Sequence, residues 1–483
     1  MYSSEKTILL LNPPGRRLYV RDYYCSKISK ADYIYHPTDL LTASGWLAPE
    51  FKLVVLDCIV DGMSSSAALE QIFHTQPDAI FFLTGSVSQK EDFAFLAEVK
   101  AQDNPLMIGS GDCLLDEHEK IKANAPWLDA IVLDFTSEGL RNFLRNEFAG
   151  GHFATPQIID FRKPAIPETC AQKRTKGKNL ELPVPRHDLF SNTKYRYPFV
   201  RSRPFASVLT DYGCPFRCKF CVMAELGFKR RSVPNVLEEL DYVHALGIRD
   251  IYFVDQTFGC NRGRLHELCS QMIERGYKFR WVAFTRADVV DKNTLQLMYR
   301  AGCHMLMFGI ESPIQRVLDE LKKDIKLEEI ERCFNWCREI GISTLATFIV
   351  GLPGTTYEEN ERIADYAIAI RADYASFNVL VPRVNTELRR EAMANNWLDT
   401  NKVELDQSGA YGALETGTLS EKQIREVHRK ITWRFFFRWR YILDRLISIR
   451  TYYDVHSIVR NGFRILTNLL SQSSLFSKKN SQW

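Results

Sequence analysis

Three cysteines, Cys214, Cys218 and Cys221, lie close together near the middle of the chain. Three residues separate the first two and two residues separate the last two, within the stretch Leu209-Thr-Asp-Tyr-Gly-Cys-Pro-Phe-Arg-Cys-Lys-Phe-Cys-Val222. Thiolates bind zinc and iron–sulfur clusters, and both kinds of site normally take four ligands. On a cuboidal [4Fe–4S] cluster, three cysteines would leave one iron open to bind another molecule. The alternatives are a zinc site and three unrelated buried cysteines, but no fourth Cys or His follows at zinc-finger spacing.

The chain around these cysteines must hold them on one short loop. The run Phe205 to Thr210 before the loop is apolar and β-branched, which predicts a strand. Residues 201–400 repeat a strand–helix pattern six times, with strands predicted at 205–210, 251–254, 279–284, 305–308, 343–350 and 374–381. Polar or glycine residues follow each strand, at the edge where α/β barrels carry their chemistry. The pattern predicts a partial (β/α)6 barrel with the cysteines at the end of its first strand.

Residues 1–150 also alternate between strand and helix patterns. The predicted strands are 7–11, 51–56, 79–83, 105–108 and 130–133, and the predicted helices are 40–47, 67–73, 91–101 and 137–148. This order predicts a Rossmann-like, doubly wound parallel sheet of five strands, which would bind ligands beyond the carboxyl ends of its strands. None of its loops carries the G-x-G-x-x-G dinucleotide motif.

Two further regions lack this alternation. Residues 151–200 contain six prolines and the basic run 173–178, so we expect a linker there. Residues 401–483 are predicted to be helical, with an apolar stripe beside several arginines: Ile424, Val427, Ile431, Phe435, Trp439, Ile442 and Leu446. A second amphipathic helix is predicted at 455–469. Such helices can lie peripherally on an anionic membrane surface, and the alternative is a helical cap packed on the barrel.

Composition excludes several classes of protein. The apolar content of 45% and the charged content of 25% are typical of globular proteins, and the net charge of +4 over 483 residues does not indicate nucleic-acid binding. No apolar run of eighteen residues occurs, and the first residues lack a signal-peptide pattern. The twelve cysteines have no disulfide-framework spacing, so we expect a reducing, cytoplasmic location.

The cysteine stretch resembles the signature of the radical S-adenosylmethionine (SAM) superfamily, C-x-x-x-C-x-aromatic-C, with Phe220 at the aromatic position. The resemblance implies that the open iron of a [4Fe–4S] cluster chelates the amino and carboxylate groups of SAM. One electron from the reduced cluster would then cleave the sulfonium to methionine and a 5′-deoxyadenosyl radical. It also implies a flavodoxin- or ferredoxin-type electron donor.

The same resemblance implies SAM contacts at the barrel's strand ends. Glu311 and Ser312 would contact the ribose and the carboxylate, because hydroxyls and a carboxylate need polar partners. Arg286 would pair with the SAM carboxylate through a bidentate fork. The remaining candidates are Gly351 and Gly354 near adenine and Asp255 on SAM or substrate. For each residue, the alternative is a structural role in a turn or helix cap.

The first domain resembles the cobalamin-binding domain that precedes many radical SAM barrels. Part of that family carries D-x-H-x-x-G, with the His on cobalt, and here the register is Asp57-Cys-Ile-Val-Asp-Gly62. Ile59 therefore stands at the His position, which removes the lower axial ligand. The resemblance implies that the corrinoid is lined by Asp57, Ser86, Ser88, Gly109, Gly111 and Glu138. The alternative is a degenerate Rossmann-like domain that only packs against the barrel.

Two enzymatic functions fit this resemblance. The first is cobalamin-dependent methyl transfer to a carbon radical of a small-molecule substrate. The second is cyclisation, rearrangement or oxidation of a lipid- or isoprenoid-like substrate without methyl transfer. A non-catalytic iron–sulfur protein is the third alternative, and it would leave the polar strand ends without a purpose.

Overall fold

The computed structural model describes residues 5–23, 26–30, 32–151, 153–163, 178–398, 407, 414–447 and 462. None of the helices in these ranges is long and apolar enough to span a membrane. The basic run 173–177 and the predicted second amphipathic helix at 455–469 lie outside the described residues, apart from Gly462.

The first part of the chain folds into a doubly wound sheet. The strands of this part are β1 (Thr7–Asn12), β2 (Tyr19–Val20), β3 (Lys27–Ile28), β4 (Lys52–Asp57), β5 (Ala79–Leu83), β6 (Leu106–Ser110), β7 (Ala130–Val132) and β8 (Ile158–Asp160). Strands β2 and β3 form a separate two-stranded antiparallel sheet. The helices of this part are α1 (Thr38–Leu47), α2 (Cys58–Asp61), α3 (Ser65–Thr75), α4 (Gln89–Asp103), α5 (His118–Asn124) and α6 (Gly139–Phe148). Strand β5 is completely buried, as expected for a parallel strand covered by helices on both faces.

The order β4-β1-β5-β6-β7 of this sheet confirms the predicted five parallel strands. A sixth strand, β8, pairs antiparallel with β7 and was not predicted. It lies at 158–160, beyond the expected domain boundary at residue 150, which stays a prediction. The strand order reverses between β1 and β5, and ligands bind open α/β sheets at such a switch point.

The second part of the chain forms the predicted partial barrel. Its strands are β9 (Lys178–Leu180), β10 (Phe205–Val208), β11 (Asp211–Gly213), β12 (Phe228–Arg231), β13 (Asp250–Phe253), β14 (Arg280–Thr285), β15 (Cys303–Glu311), β16 (Ser343–Val350) and β17 (Tyr374–Val379). Its helices are α7 (Val233–Ala245), α8 (Arg262–Glu274), α9 (Lys292–Arg300), α10 (Gln315–Glu320), α11 (Leu327–Ile340), α12 (Tyr357–Ala369) and α13 (Glu387–Ala394). Six strands, β10 and β13 to β17, pair in parallel and in chain order, so the (β/α)6 prediction is confirmed.

The first domain lies across the open side of this partial barrel. His36 Nδ1 lies 3.1 Å from the Ser207 hydroxyl on β10, and Lys30 Nζ donates to the Phe377 carbonyl on β17 at 2.7 Å. These contacts join the segment before α1 to the two edge strands of the barrel. The segment therefore contacts both of the edge strands that six strands leave unclosed.

The last described helices, α14 (Glu421–Phe436) and α15 (Trp439–Ile447), settle part of the prediction for the C-terminal region. Ile424, Val427, Ile431 and Phe435 are buried in the barrel core, so the helical-cap alternative is confirmed for α14. Lys430 and Arg434 pair with Glu361 and Asp365 on α12. By contrast, Trp439 and Ile442 are exposed, and the side chain of Leu446 is outside the described set.

Phe435→Ala is expected to destabilise the protein by about 3 kcal/mol, because it removes a fully buried ring and leaves a cavity. Phe437→Ala, two residues away on an exposed side chain, should cost about 1 kcal/mol or less. Equilibrium urea unfolding measures both values. Equal losses in the two variants would contradict the packing of α14 on the barrel.

Candidate cluster and cofactor site

The three cysteines lie on a loop closed by a β-hairpin. Strands β11 and β12 pair antiparallel, with Gly213 opposite Phe228, and the Cys214 amide donates to the Gly227 carbonyl at 3.3 Å. Inside the loop, the Cys221 amide donates to the Cys218 carbonyl at 3.1 Å. All three cysteines are partly exposed, whereas Cys269, Cys303, Cys333 and Cys337 are buried in the core.

The loop suits a cluster in its charge as well as its position. Burial raises the pKa of the Cys218 thiol above its usual value, and the nearby cations Lys323 and Arg286 offset part of that rise. Cluster ligands must be thiolates, and neighbouring positive charges stabilise them. In the described ranges no three His, Cys, Asp or Glu side chains converge on a single-ion site. A cuboidal cluster does not need three side chains that converge on one ion, because each cysteine binds a different iron.

Arg286 lies against this loop, but its fork already has a partner. Its Nε and Nη2 donate to the two Asp288 carboxylate oxygens at 2.9 and 2.8 Å. Its guanidinium carbon lies 3.9 Å from the centre of the Phe216 ring, and Nη1 is 3.8 Å from Cys218 Sγ. Both fork nitrogens are thus bonded to Asp288 and Nη1 lies beside the cysteine loop, and the bidentate pairing of Arg286 with SAM stays a prediction.

Lys323 is a second cation beside the loop, and sequence reasoning missed it. Its Nζ donates to Glu311 Oε1 at 2.8 Å and lies 5.9 Å from the centre of the Phe220 ring. Burial disfavours the charged form, but Glu311 and Cys218 outweigh it, so the pKa of Lys323 lies above its usual value. Lys323 lies after helix α10 and not at the end of a strand. A prediction based on the residues that follow strands therefore does not include it.

The other predicted SAM contacts also gather at the barrel mouth, each with a protein partner. Asp255 accepts from the Thr210 amide at 2.7 Å and from the Asp211 amide at 3.1 Å, which ties β13 to the hairpin. The Ser312 hydroxyl accepts from the Ile314 amide at 3.2 Å. Gly351 donates to Asn360 at 2.9 Å, and the Gly354 carbonyl accepts from Arg316 at 3.3 Å. Their contacts with SAM stay predictions.

A buried ion pair occupies the switch point of the first sheet. Arg21, between β2 and β3, donates from Nε to Asp92 at 3.0 Å and from Nη1 to Asn12 at 2.8 Å. Ser88, a predicted corrinoid contact, donates to the same Asp92 at 2.7 Å. Ser86 donates from its hydroxyl to Asp112 at 2.9 Å. Both predicted serines lie at the expected edge, and both hydroxyls are bonded within the protein.

The remaining predicted corrinoid residues surround the same edge. Asp57 caps α2 by accepting from the Val60 amide at 3.2 Å, and Ile59 is buried in the apolar core. Gly111 has φ +146°, and a Cβ there would lie 1.9 Å from the Thr84 carbonyl oxygen, so only glycine fits. A Cβ on Gly109 would meet Leu114 and Phe82, and Glu138 lies at the start of α6, paired with Arg141.

The cysteine hairpin packs directly on this edge of the first sheet. Lys229 on β12 pairs with Asp134, which follows β7, and its Nζ lies 3.2 Å from the Thr136 hydroxyl. The Tyr212 ring lies 5.6 Å from Phe135 and 6.3 Å from Tyr23, between ring centres. A pocket opens beside this contact and is lined by Thr38, Phe135, Leu209, Asp211, Tyr212, Gly213, Met223, Val254 and Gln256. The carboxyl edges of the two sheets thus face each other.

Two buried hydroxyls lie beside each other at this contact. The Tyr23 and Tyr212 hydroxyls interact with each other, and neither has a further hydrogen-bond partner among the described residues. Because a hydroxyl has one donor and two acceptor lone pairs, this pair keeps bonding capacity for the polar groups of a ligand. Ile59 has no nitrogen, so a corrinoid at this edge would receive no cobalt ligand from that position.

Asp39, at the start of α1, makes stability depend on pH. Burial and the neighbouring Asp22 raise the pKa of Asp39 to about 8, and Ser110 donates to it at 2.9 Å. Between about pH 4 and 8 the folded protein keeps a proton that the unfolded chain has lost, so the free energy of unfolding falls as pH rises. For one proton the slope is about 1.4 kcal/mol per pH unit.

Asp39→Asn cannot ionise and should therefore flatten this dependence. We expect the variant to match the wild type near pH 4 and to be more stable near pH 8, the upper limit set by the raised pKa. Urea unfolding at a series of pH values measures the two slopes. Equal slopes would show that Asp39 does not hold the proton.

Comparison with known proteins places this geometry in a family. The family model of the radical SAM superfamily matches residues 208–367, from the end of β10 into α12. An uncharacterized methyltransferase of Pyrococcus horikoshii is 35% identical over 376 residues, which cover 75% of this chain and 80% of that relative. An anaerobic magnesium-protoporphyrin IX monomethyl ester cyclase of Cereibacter sphaeroides is 26% identical over 383 residues, covering 76% of this chain and 59% of the cyclase.

Solved structures have the same fold. The radical SAM methyltransferase TsrM of Kitasatospora setae, solved with cobalamin and a [4Fe–4S] cluster, superposes with a TM-score of 0.65 at 19% identity, covering 81% of this chain and 78% of TsrM. The cobalamin-dependent SAM radical enzyme OxsB, solved with aqua-cobalamin and SAM, gives a TM-score of 0.68 at 16% identity, covering 97% of this chain and 72% of OxsB. With its cysteine hairpin, its partial barrel and a methyltransferase relative matched over most of both lengths, this chain belongs to the radical SAM superfamily.

Proposed function

We propose that this protein is a cobalamin-dependent radical SAM methyltransferase that methylates an unactivated carbon of a small molecule. One observation carries the proposal: the cysteine hairpin packs on the carboxyl edge of the first sheet through Tyr212 and Lys229. The edge that would hold SAM and the edge that would hold a corrinoid therefore face the same space. When bound, the cluster supplies one electron to the sulfonium of SAM, and the corrinoid carries the methyl group to be transferred.

The chain's own residues would hold and insulate these groups. Cys214, Cys218 and Cys221 would bind three irons, with Arg286 and Lys323 balancing the negative charge of the thiolates. The apolar pocket walls Phe135, Leu209 and Val254 would keep water from a substrate radical. Exclusion of water matters because a reactive intermediate would otherwise be lost in side reactions.

Ile59 leads to a spectroscopic prediction for the corrinoid. Because Ile59 replaces the expected His and is buried in the core, a bound corrinoid should have no protein imidazole on cobalt. Electron paramagnetic resonance of the bound corrinoid with cobalt in the +2 state should lack nitrogen splitting from a protein imidazole. Splitting that disappears when a histidine of the chain is replaced would refute the register of this loop.

The proposal is tested with anaerobically reconstituted enzyme, SAM, a strong reductant and candidate substrates. Methyl transfer should release S-adenosylhomocysteine together with 5′-deoxyadenosine, because one SAM supplies the methyl group and another the radical. The second candidate, cyclisation or oxidation without methyl transfer, is favoured by the similarity to the magnesium-protoporphyrin cyclase. This second candidate predicts that the enzyme releases 5′-deoxyadenosine without S-adenosylhomocysteine. Absence of both products would refute enzymatic radical SAM chemistry.

Two partners complete the proposal. A flavodoxin- or ferredoxin-type protein in the cytoplasm would reduce the cluster. A peripheral contact with an anionic membrane would use α15, where Trp439, Ile442 and Leu443 are exposed, because the stripe on α14 is buried. Co-sedimentation with anionic vesicles that weakens as salt rises would support this contact, and no binding at any salt would refute it.

A further inference from the structure

The outer face of the cysteine loop carries positive charge. Residues 214–221 contain Arg217 and Lys219 but no acidic residue. The Arg217 side chain is exposed, and it makes no ion pair with any residue that the structure describes. A charge in this position, between two of the predicted cluster ligands, is available to a partner of the opposite sign.

Helix α13 extends this surface. The Leu388 amide at the start of the helix donates to the Lys219 carbonyl at 3.1 Å, and the Lys219 side chain pairs with Glu391. The cysteine loop and the helix are therefore joined through backbone and side chain. We call the exposed side chains of residues 214–221 and 387–394 the loop–α13 face.

The acidic side chains of the loop–α13 face are balanced by neighbouring lysines. Besides the pair of Lys219 with Glu391, Lys322 Nζ pairs with Glu387 at 2.6 Å and lowers the pKa of that carboxyl. Arg390 on α13 is exposed and donates to a backbone carbonyl at 2.9 Å. Within the described part of the chain it pairs with no carboxylate, so the face keeps a net positive charge.

A large apolar side chain is exposed on the same face. Met393, on α13, has 50% of its surface exposed. Outside α14 and α15, the described residues include three other exposed large apolar side chains, Phe73, Leu246 and Tyr299. Methionine adapts its shape to a partner, and arginine and methionine are both enriched at protein–protein interfaces. The face thus has the composition of a binding surface for a protein.

We propose that the loop–α13 face binds an acidic one-electron carrier protein of the flavodoxin or ferredoxin class. This inference rests on the proposed function, which requires an electron donor for the cluster. The carrier would lose one electron and the cluster would gain it, before that electron passes to the sulfonium of SAM. Because the face includes the loop with the predicted ligands, a carrier bound there has a short path to the cluster.

The exposed apolar face of α15 does not suit this carrier. Arg445 on α15 lies 3.6 Å from Asp373, which directly precedes β17. This contact places α15 at the amino ends of the barrel strands, whereas the cysteine loop follows the carboxyl end of β10. A carrier on α15 would be separated from the cluster by the length of the barrel.

The first test measures the affinity of the anaerobically reconstituted holoenzyme for an acidic flavodoxin and an acidic ferredoxin by surface plasmon resonance. The wild type should bind at least one of them, and binding should weaken as salt rises, because salt screens exposed charges. Arg390→Glu should weaken binding about tenfold, since the reversed charge repels an acidic partner. The matched control is Lys278→Glu, which makes the same charge change on an exposed residue just before β14, at the opposite end of the barrel. This control should bind like the wild type.

The second test compares the release of 5′-deoxyadenosine with the reduced carrier and with dithionite, a small reductant that needs no docking surface. Arg390→Glu should lose about tenfold in rate with the carrier and keep the wild-type rate with dithionite. Arg217→Glu should also lose more rate with the carrier than with dithionite. Comparison of the two reductants in one variant corrects for any effect of that substitution on the cluster itself.

The possible results separate this inference from the proposed function. Equal carrier affinity in the wild type and Arg390→Glu would overturn the inference, and so would cleavage of SAM with dithionite but with neither carrier. Loss of binding to anionic vesicles in Arg390→Glu, with carrier binding unchanged, would assign the face to lipid and overturn it as well. Carrier binding that is lost in Arg390→Glu, without SAM cleavage by any reductant, would support the docking face and refute the proposed radical chemistry.

Discussion

Replacing Cys214, Cys218 and Cys221 together with Ala is expected to abolish both cluster assembly and SAM cleavage. The three thiols are the predicted ligands on the hairpin loop, and no further cysteine or histidine follows on that loop before Gly227. Wild-type protein reconstituted anaerobically should hold about four irons per chain, the content of one [4Fe–4S] cluster. The variant should hold none and should release no 5′-deoxyadenosine, since the reducing electron has no route to the sulfonium.

The matched control is Cys260→Ala. Cys260 is also partly exposed, and its thiol lies 3.6 Å from Asp211 Oδ2, close to the hairpin but not on the loop. It should keep its full iron content and its cleavage rate. Iron and sulfide analysis and chromatography of the nucleoside products measure both properties. A triple variant that still made 5′-deoxyadenosine would refute the cluster assignment. Loss of iron in Cys260→Ala would show that Cys260 is a further ligand of the cluster.

Gly213→Ala should also prevent cluster assembly, although it removes no ligand. Gly213 has φ +82°, and a Cβ there would lie 1.8 Å from the Gly227 carbonyl oxygen, across the hairpin that closes the loop. That oxygen accepts from the Cys214 amide at 3.3 Å. The strands β11 and β12 must therefore separate, which displaces Cys214 from the other two cysteines. We expect iron content after reconstitution to fall to a small fraction of the wild-type value.

Gly247→Ala separates this clash from the cost of an unusual backbone angle. Gly247 has φ +79°, nearly the same as Gly213, but a Cβ there meets no atom within 4 Å. It should cost about 1 kcal/mol of stability from the left-handed conformation alone and leave the iron content unchanged. Thermal unfolding and iron analysis of the two variants give the comparison. Normal iron in Gly213→Ala would show that the hairpin does not set the position of the cysteines.

The sequence by itself determined the features that depend on neighbours along the chain. Buried parallel strands such as Ala79–Leu83 are continuous apolar runs, and the cysteine spacing lies within eight residues, so both are visible without a structure. The stripe on α14 was equally visible from its period. The surface that the stripe packs against was not visible, because a stripe packed on a barrel and a stripe facing lipid have the same sequence pattern.

Only the tertiary structure decided which charged groups meet. Arg286 and Asp288 are two residues apart, yet their pairing depends on how the chain turns after β14. Lys323 reaches Glu311 from the end of α10, and Lys229 reaches Asp134 from 95 residues away. Helical and strand periods follow from backbone geometry within a few residues, whereas these pairs follow from the packing of whole elements. For that reason the cysteine loop could be predicted from the sequence, whereas the contacts of the cations that lie beside it could not.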